Sequence, residues 1–355
     1  MTRFFGSDSE PQGSHYIGSK VSDAVGQGIS RRDLLKALPV MAALTACRRA
    51  LPYRPGDFAR PARSTVAILD APNYSVDLGD VISRGLRELA FDVSGRSVLL
   101  KPNLIEYEPG RLINTNPLVA AGAATAFLHA GATEVIIAEG PGHRRDMEYL
   151  LAATGFADQL KDLRVRFVDL NHDDVRPVAL RSHFTGIDEM LLPVELMKAD
   201  VIVSLPKLKT HHWAAMTASM KNFFGVVPGA VYGWPKNFLH FHGIDNSIVD
   251  LVATIRPHFT IVDAVTAMEG DGPIMGRPRQ TGFLAMGQDL VAVDATCARL
   301  IGFEPTKIQY LSWAGDFLGN IDEKHIDHRG ENLARYQTRF DVLPNFKELQ
   351  IAGGA

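Results

Sequence analysis

Short runs of Val, Ile and Leu alternate along this chain with segments whose apolar residues recur every three or four positions. The first kind occurs at 64–70 (STVAILD), 96–102 (RSVLLKP), 133–140 (TEVIIAEG), 165–170 (VRFVDL), 200–206 (DVIVSLP), 259–265 (FTIVDAV) and 282–287 (GFLAMG). Nearly continuous apolar runs of this length mark strands covered on both faces. Helical spacing occupies 78–90, 116–132, 147–160, 244–256 and 289–302. The alternation predicts an α/β fold, a mostly parallel sheet with helices on both faces. It is compatible with one large domain or two interleaved lobes.

The first residues follow neither pattern. Residues 1–29 are rich in Gly, Ser and Asp without apolar periodicity and read as disordered. Then comes SRRDLLKALPVMAALTAC, 30–47, in which Arg31 and Arg32 precede an apolar stretch too short to span a bilayer. Paired arginines before Leu34, Leu35 and Lys36 resemble a bacterial twin-arginine export signal, against the alternative of a short amphipathic helix. Leu44-Thr45-Ala46-Cys47 resembles a lipobox, with Cys47 the lipidated residue, against an incidental Cys at a cleavage site. A lipid there would tether a soluble domain to the membrane surface. Residues 48–62, with three prolines and four arginines, read as an irregular tether, and 63–350 as the folded domain.

Composition narrows the function classes. The 355 residues carry a formal net charge of -3 and are 46% hydrophobic, a soluble globular balance without the basic footprint of a nucleic-acid binder. Cys47 and Cys297 are the two cysteines, so a processed Cys47 leaves Cys297 no disulfide partner. Helical spacing around Cys297 predicts a buried structural thiol.

In open α/β sheets, ligands bind beyond the carboxyl ends of the strands. Here the apolar runs end in polar loops: Lys101-Pro102-Asn103, Glu139 to His143, Asp169 with Asn171 and His172, Pro206 to His211, and Asp263 followed by Glu269 to Pro273. These loops are expected at one edge, in one pocket. EGPGH is not the GxGxxG fingerprint and nothing matches a Walker loop, so a nucleotide fold is disfavoured.

The stretch LPKLKTHHWAAMTASMKNFFGVVPG, 205–229, is the richest in chemistry. Lys207, Lys209 and His211 share one parity if extended, and 216–222 reads as a helix ending near Gly225. Ammonium groups bind carboxylate or phosphate, and partial burial moves a lysine towards a useful base. The lysines are therefore expected to serve ligand binding more than stability.

At this point the chain resembles the family of the domain of unknown function 362. The resemblance rests on KPNL at 101–104, LPKLKTH at 205–211, SMKNFFGVVPG at 219–229, His240, IVDAVTAMEGDGPIMG at 261–276 and DLVAVDATCARLIG at 289–302. It spans about residues 65 to 315. The family's invariant-looking positions map to Lys101, Asn103, Lys207, Lys209, His211, Lys221, Asn222, Asp263, Gly272 and Asp294, without assigned roles. Many relatives carry a ferredoxin-like iron–sulfur module with CxxC motifs. This chain has none, so no such cluster is expected, and the cofactor stays open.

Three functions compete. The first is an enzyme on a small anionic substrate, with His211, Lys207 and Asp263 catalytic and Lys101, Asn103, Lys209, Lys221 and Asn222 binding. The second is a metal-dependent enzyme using His211, His240, His242, Asp263, Glu269 or Asp271, with HFH at 240–242 presenting both rings on one side if extended. The third is a noncatalytic ligand-binding or assembly lipoprotein. Beyond the ligand, the expected partners are the export machinery and, through Cys47, the membrane surface.

Overall fold

The computed structural model describes residues 50–353, so the export segment and Cys47 lie outside the described residues. The chain divides after Leu51, and the unit from Pro52 onward is the one described here. Its strands are β1 (Ser64–Asp70), β2 (Ser97–Pro102), β3 (Glu134–Glu139), β4 (Val165–Asp169), β5 (Val175–Ala179), β6 (Glu189–Pro193), β7 (Val201–Leu205), β8 (Lys207–His211), β9 (Ala215–Thr217), β10 (Phe259–Glu269), β11 (Arg277–Gly287) and β12 (Ile326–Gly330).

Among the described residues, ten strands form one sheet, ordered β12-β1-β11-β10-β7-β2-β3-β4, with β8 joined to β10 and β9 to β8. Neighbours on the main path run parallel, except that β11 is antiparallel to β1 and β10. The antiparallel pair β5–β6 stands apart as a second sheet. The mostly parallel α/β architecture read from the sequence is the one observed.

The period-2 rule explains the two-faced core. Val98 and Leu100 of β2 face one cluster and Leu99 the other; Val135 and Ile137 of β3 split likewise from Ile136. The first cluster packs under helices Leu78–Glu88 and Pro117–His129; the second lies under Ile244–Ile255, Leu290–Leu300 and Gln309–Phe317. A fully buried Val, Leu or Ile contributes about 1.5–3 kcal/mol, so both faces are anchored. Caps set the helix starts: Asp77 accepts from Asp80 N at 2.9 Å, and Asp289 accepts from Val291 N (2.9 Å) and Ala292 N (3.1 Å). Cys297 is buried and free in the Leu290–Leu300 helix, and burial pushes its thiol up.

Several segments differ from the sequence reading. The helical pattern at 147–160 breaks into Met147–Ala153 and Phe156–Leu160, because Gly155 takes a left-handed φ of 81°. Within 48–62, the residues after Leu51 are docked rather than a tether. Tyr53 stacks on Phe317 with centroids 3.9 Å apart, Phe58 meets the same ring edge-on, and Arg60 donates to Gly315 O at 2.8 Å. The expected helix at 216–222 is instead β9 followed by a 3₁₀ turn, Lys221–Val226.

Candidate functional site

The carboxyl ends of β1, β2, β3, β4, β7 and β10 point to one edge of the sheet, as the loops required. Pro206 separates β7 from β8. The chain then pairs with β10 beyond the sheet proper, Lys207 opposite Asp263 and Lys209 opposite Met268. That step lifts the lysine-bearing stretch over the strand ends. The polar residues there form two clusters rather than one pocket.

The first cluster is closed. Lys207, 1% exposed, donates to Asp263 at 3.0 Å and to Tyr74 Oη at 2.6 Å, while Tyr74 Oη donates to Asp263 at 3.0 Å. Asp263 also accepts from Asn116 N (2.9 Å) at the start of the Pro117–His129 helix. Every group has a partner within the protein, and neither Lys207 nor Asp263 reaches the neighbouring cavity. The expectation that these two share a pocket with Lys101 and Glu139 is corrected: they form a buried strut between β8, β10 and the loop after β1.

The second cluster lines a cavity of about 270 Å³. Its floor is Lys101, fully buried, which donates to Glu139 at 2.7 Å, to Asn222 Oδ1 at 3.1 Å and to Pro102 O at 2.9 Å. Glu139 also accepts from Leu104 N (2.9 Å) and Gly140 N (2.8 Å), and Asn222 Nδ2 donates to Lys101 O (2.8 Å) and Ser204 Oγ (3.1 Å). A Cβ on Gly225 would overlap the Glu139 carboxylate and Lys101 Nζ, so only glycine lets the 3₁₀ turn approach this pair.

The walls hold groups without partners. Asn103 Oδ1 and Thr217 Oγ1 are buried and make no hydrogen bond. Lys221 makes no hydrogen bond or ion pair among the described residues; its Nζ sits 3.8 Å from the Phe224 ring centroid. Burial first, then the Lys101 charge, lowers the Lys221 pKa to about 7. Buried polar groups are almost always paired, so their convergence on one cavity calls for a ligand.

His211 lines the same cavity, with Nδ1 accepting from Trp213 N (3.1 Å) and Ala214 N (3.2 Å). Two donors on Nδ1 place the proton on Nε2. Burial, with Lys221 nearby, holds the ring well below its ordinary pKa. His211 therefore carries its proton on Nε2, with Nδ1 held as an acceptor. Lys209, fully buried, faces no carboxylate; its one acceptor is Pro273 O at 3.4 Å, and burial, then Lys207 and Lys221, lowers its pKa well below normal.

Lys236 escaped the sequence reading. It is 1% exposed, sits at φ 66°, and donates to Gly140 O (2.6 Å) and Gly225 O (2.7 Å); burial lowers its pKa to about 7. Nothing in its local pattern, a lysine among Pro and Asn, sets it apart from a surface residue. Thr217 and Asn171 were also missed or left without a role. Asn171 braces the cavity by accepting from Gly229 N at 2.9 Å and donating to Pro141 O at 3.1 Å.

The metal-ligand set does not assemble. HFH is turned rather than extended, with His240 in the helix Asn237–Phe241 and His242 at its C-cap, so His240 joins the cavity while His242 lies against Thr185 O at 3.2 Å. Glu269 pairs with Arg277 at 3.0 Å and Asp271 with His212 at 3.4 Å. Among the described residues, no group of three His, Cys, Asp or Glu comes together as a metal site.

Comparison with known proteins gives the following. Residues 98–299 match the model of the Domain of unknown function (DUF362). A thylakoid-associated protein of Synechocystis is 32% identical over 221 residues, covering 60% of this chain; the match spans 65% of that protein, just under two thirds. A Thermotoga maritima protein of known crystal structure shares 16% identity at a TM-score of 0.39, over 62% of this chain and 58% of its own. The lactate racemase apoprotein of Thermoanaerobacterium thermosaccharolyticum shares 13% at 0.42, over 69% and 59%.

Proposed function

The chain belongs to the family of the domain of unknown function 362, and from that premise we propose that it is an enzyme that binds a small anion in the cavity at the sheet edge. Lys221 is its working amine and His211 a neutral hydrogen-bond donor. The observation that carries this reading is the imbalance of the cavity: Lys101, Lys221 and Lys236 line it against Glu139, and Lys221 makes no hydrogen bond or ion pair among the described residues. An anion restores the charge and supplies acceptors to donors that lack them, and a charge-assisted hydrogen bond is worth about 1.5–3 kcal/mol.

The test is a thermal-shift series with phosphate, lactate, pyruvate and divalent metal ions on wild type, Lys221→Met and Asn103→Ala. Carboxylate or phosphate stabilisation of wild type, lost in both variants, is expected. Equal shifts in all three proteins would discard the cavity as the site. Stabilisation by a compound that is never converted would favour a carrier over an enzyme.

We also infer export and a lipid tether. Arg31-Arg32 before a short apolar run and the lipobox-like end at Cys47 support this, and the Synechocystis relative's thylakoid association is in keeping with a place at a membrane. Replacing both arginines by lysine should hold the protein in the cytoplasm on fractionation; unchanged delivery to the envelope would remove the inference.

A further inference from the structure

We propose that Lys221 is a nucleophile that forms a Schiff base with a small 2-oxo carboxylate held in the cavity, an inference that rests on the anion-binding reading above. The geometry singles out Lys221, which is half-buried, from the fully buried lysines of the site; Lys209 does not line the cavity. Lys101 is committed to Glu139, Lys207 to Asp263, and Lys236 to two backbone carbonyls. Lys221 alone of these four reaches the cavity with its Nζ lone pair uncommitted, against the face of Phe224.

The face of Phe224 and the charge of Asp245 favour the Lys221 ammonium, while burial and the Lys101 charge oppose it more strongly. Desolvation and a neighbouring cation are the two means by which lysine nucleophiles are kept neutral. Both act here, since burial and Lys101 lower the group to about 7. At pH 7 such an amine is about half unprotonated, while a solvated lysine near 10.4 is unprotonated in roughly one molecule in 2,500.

The remaining groups suit a carbonyl-bearing anion. Neutral His211, its proton on Nε2, can donate to the carbonyl oxygen and keep that proton throughout. Lys236 Nζ lines the same cavity and can donate to a carboxylate. The unpaired Thr217 hydroxyl can donate to the ligand's other oxygen. The step balances without a further reagent. The Lys221 lone pair attacks the carbonyl carbon to give a carbinolamine, and the C–O bond then breaks. Both amine hydrogens leave with the oxygen as water, and a C=N bond remains.

The experiment incubates the full chain with pyruvate or glyoxylate near pH 7, reduces with borohydride and maps adducts by peptide mass spectrometry. The comparators are Lys221→Met and Lys221→Arg, with thermal shifts of the same proteins by lactate, which has no carbonyl. One reduced adduct on the peptide carrying Lys221, at least ~10-fold above any surface lysine and lost in both variants, is expected from the difference in unprotonated fraction. Adducts spread equally over surface lysines in wild type and variants overturn the proposal. Lactate stabilisation with no adduct overturns the Schiff base and leaves the anion site standing. Neither stabilisation nor adduct overturns both. Should Lys221→Met unfold, Lys221→Arg, which keeps the charge and removes the nucleophile, decides alone.

Discussion

The lysines of this site look alike in sequence and are unlike in the folded chain. Lys207 was expected to spare stability when removed, as a solvated lysine does at about 0.5 kcal/mol or less. It is instead the buried partner of Asp263 and Tyr74. Lys207→Met leaves a buried carboxylate without its cation, which costs about 3–5 kcal/mol. Urea denaturation should show that loss, with the cavity's anion response retained in whatever fraction stays folded. A loss below about 1 kcal/mol would return Lys207 to the solvated class. Local sequence shows which residues are lysines and their parity on an extended run. It does not show which lysine meets a carboxylate, because Asp263 reaches Lys207 only through the pairing of β8 with β10. Lys236 was illegible for the same reason, since its acceptors are backbone carbonyls of two distant loops.

The elements legible in advance were those with strong period. The seven apolar runs became strands, and five helical patterns became helices, one of them split. What was missed is mostly short, polar or held by tertiary partners: β5, β6, β8, β9 and β12, together with the helix Gln309–Phe317. The error at 216–222 has a physical cause. MTASMKN has helical spacing, but Asp294, from the Leu290–Leu300 helix, accepts from Ser219 N (2.7 Å) and Met220 N (3.0 Å), pinning those amides outside a regular helix. This pair of bonds fixes the turn that carries Lys221 and Asn222. Asp294→Ala leaves two buried N–H groups without acceptors, about 1–3 kcal/mol each. The melting temperature should fall, and carbonyl trapping on Lys221 should fall with it even below the melting range. Normal trapping in a folded Asp294→Ala protein would show that the turn is held by packing alone.

Across the whole molecule, the sheet edge that gathers the site is built from chain segments far apart in sequence, and the α/β class was readable while this order was not. Alternation says that strands are parallel; it does not say that β11 runs against its neighbours or that β12 closes the far side. Those choices follow from long-range packing of both faces, invisible to any local window. One arrangement has a consequence for synthesis. The first strand, β1, lies between β11 and β12, at residues 277–287 and 326–330. A nascent chain still short of residue 277 holds β1 with neither neighbour, its backbone amides and carbonyls unpaired. The ribosome must therefore deliver nearly the entire polypeptide before this side of the sheet can zip shut, and chaperones have that long to act on an open strand.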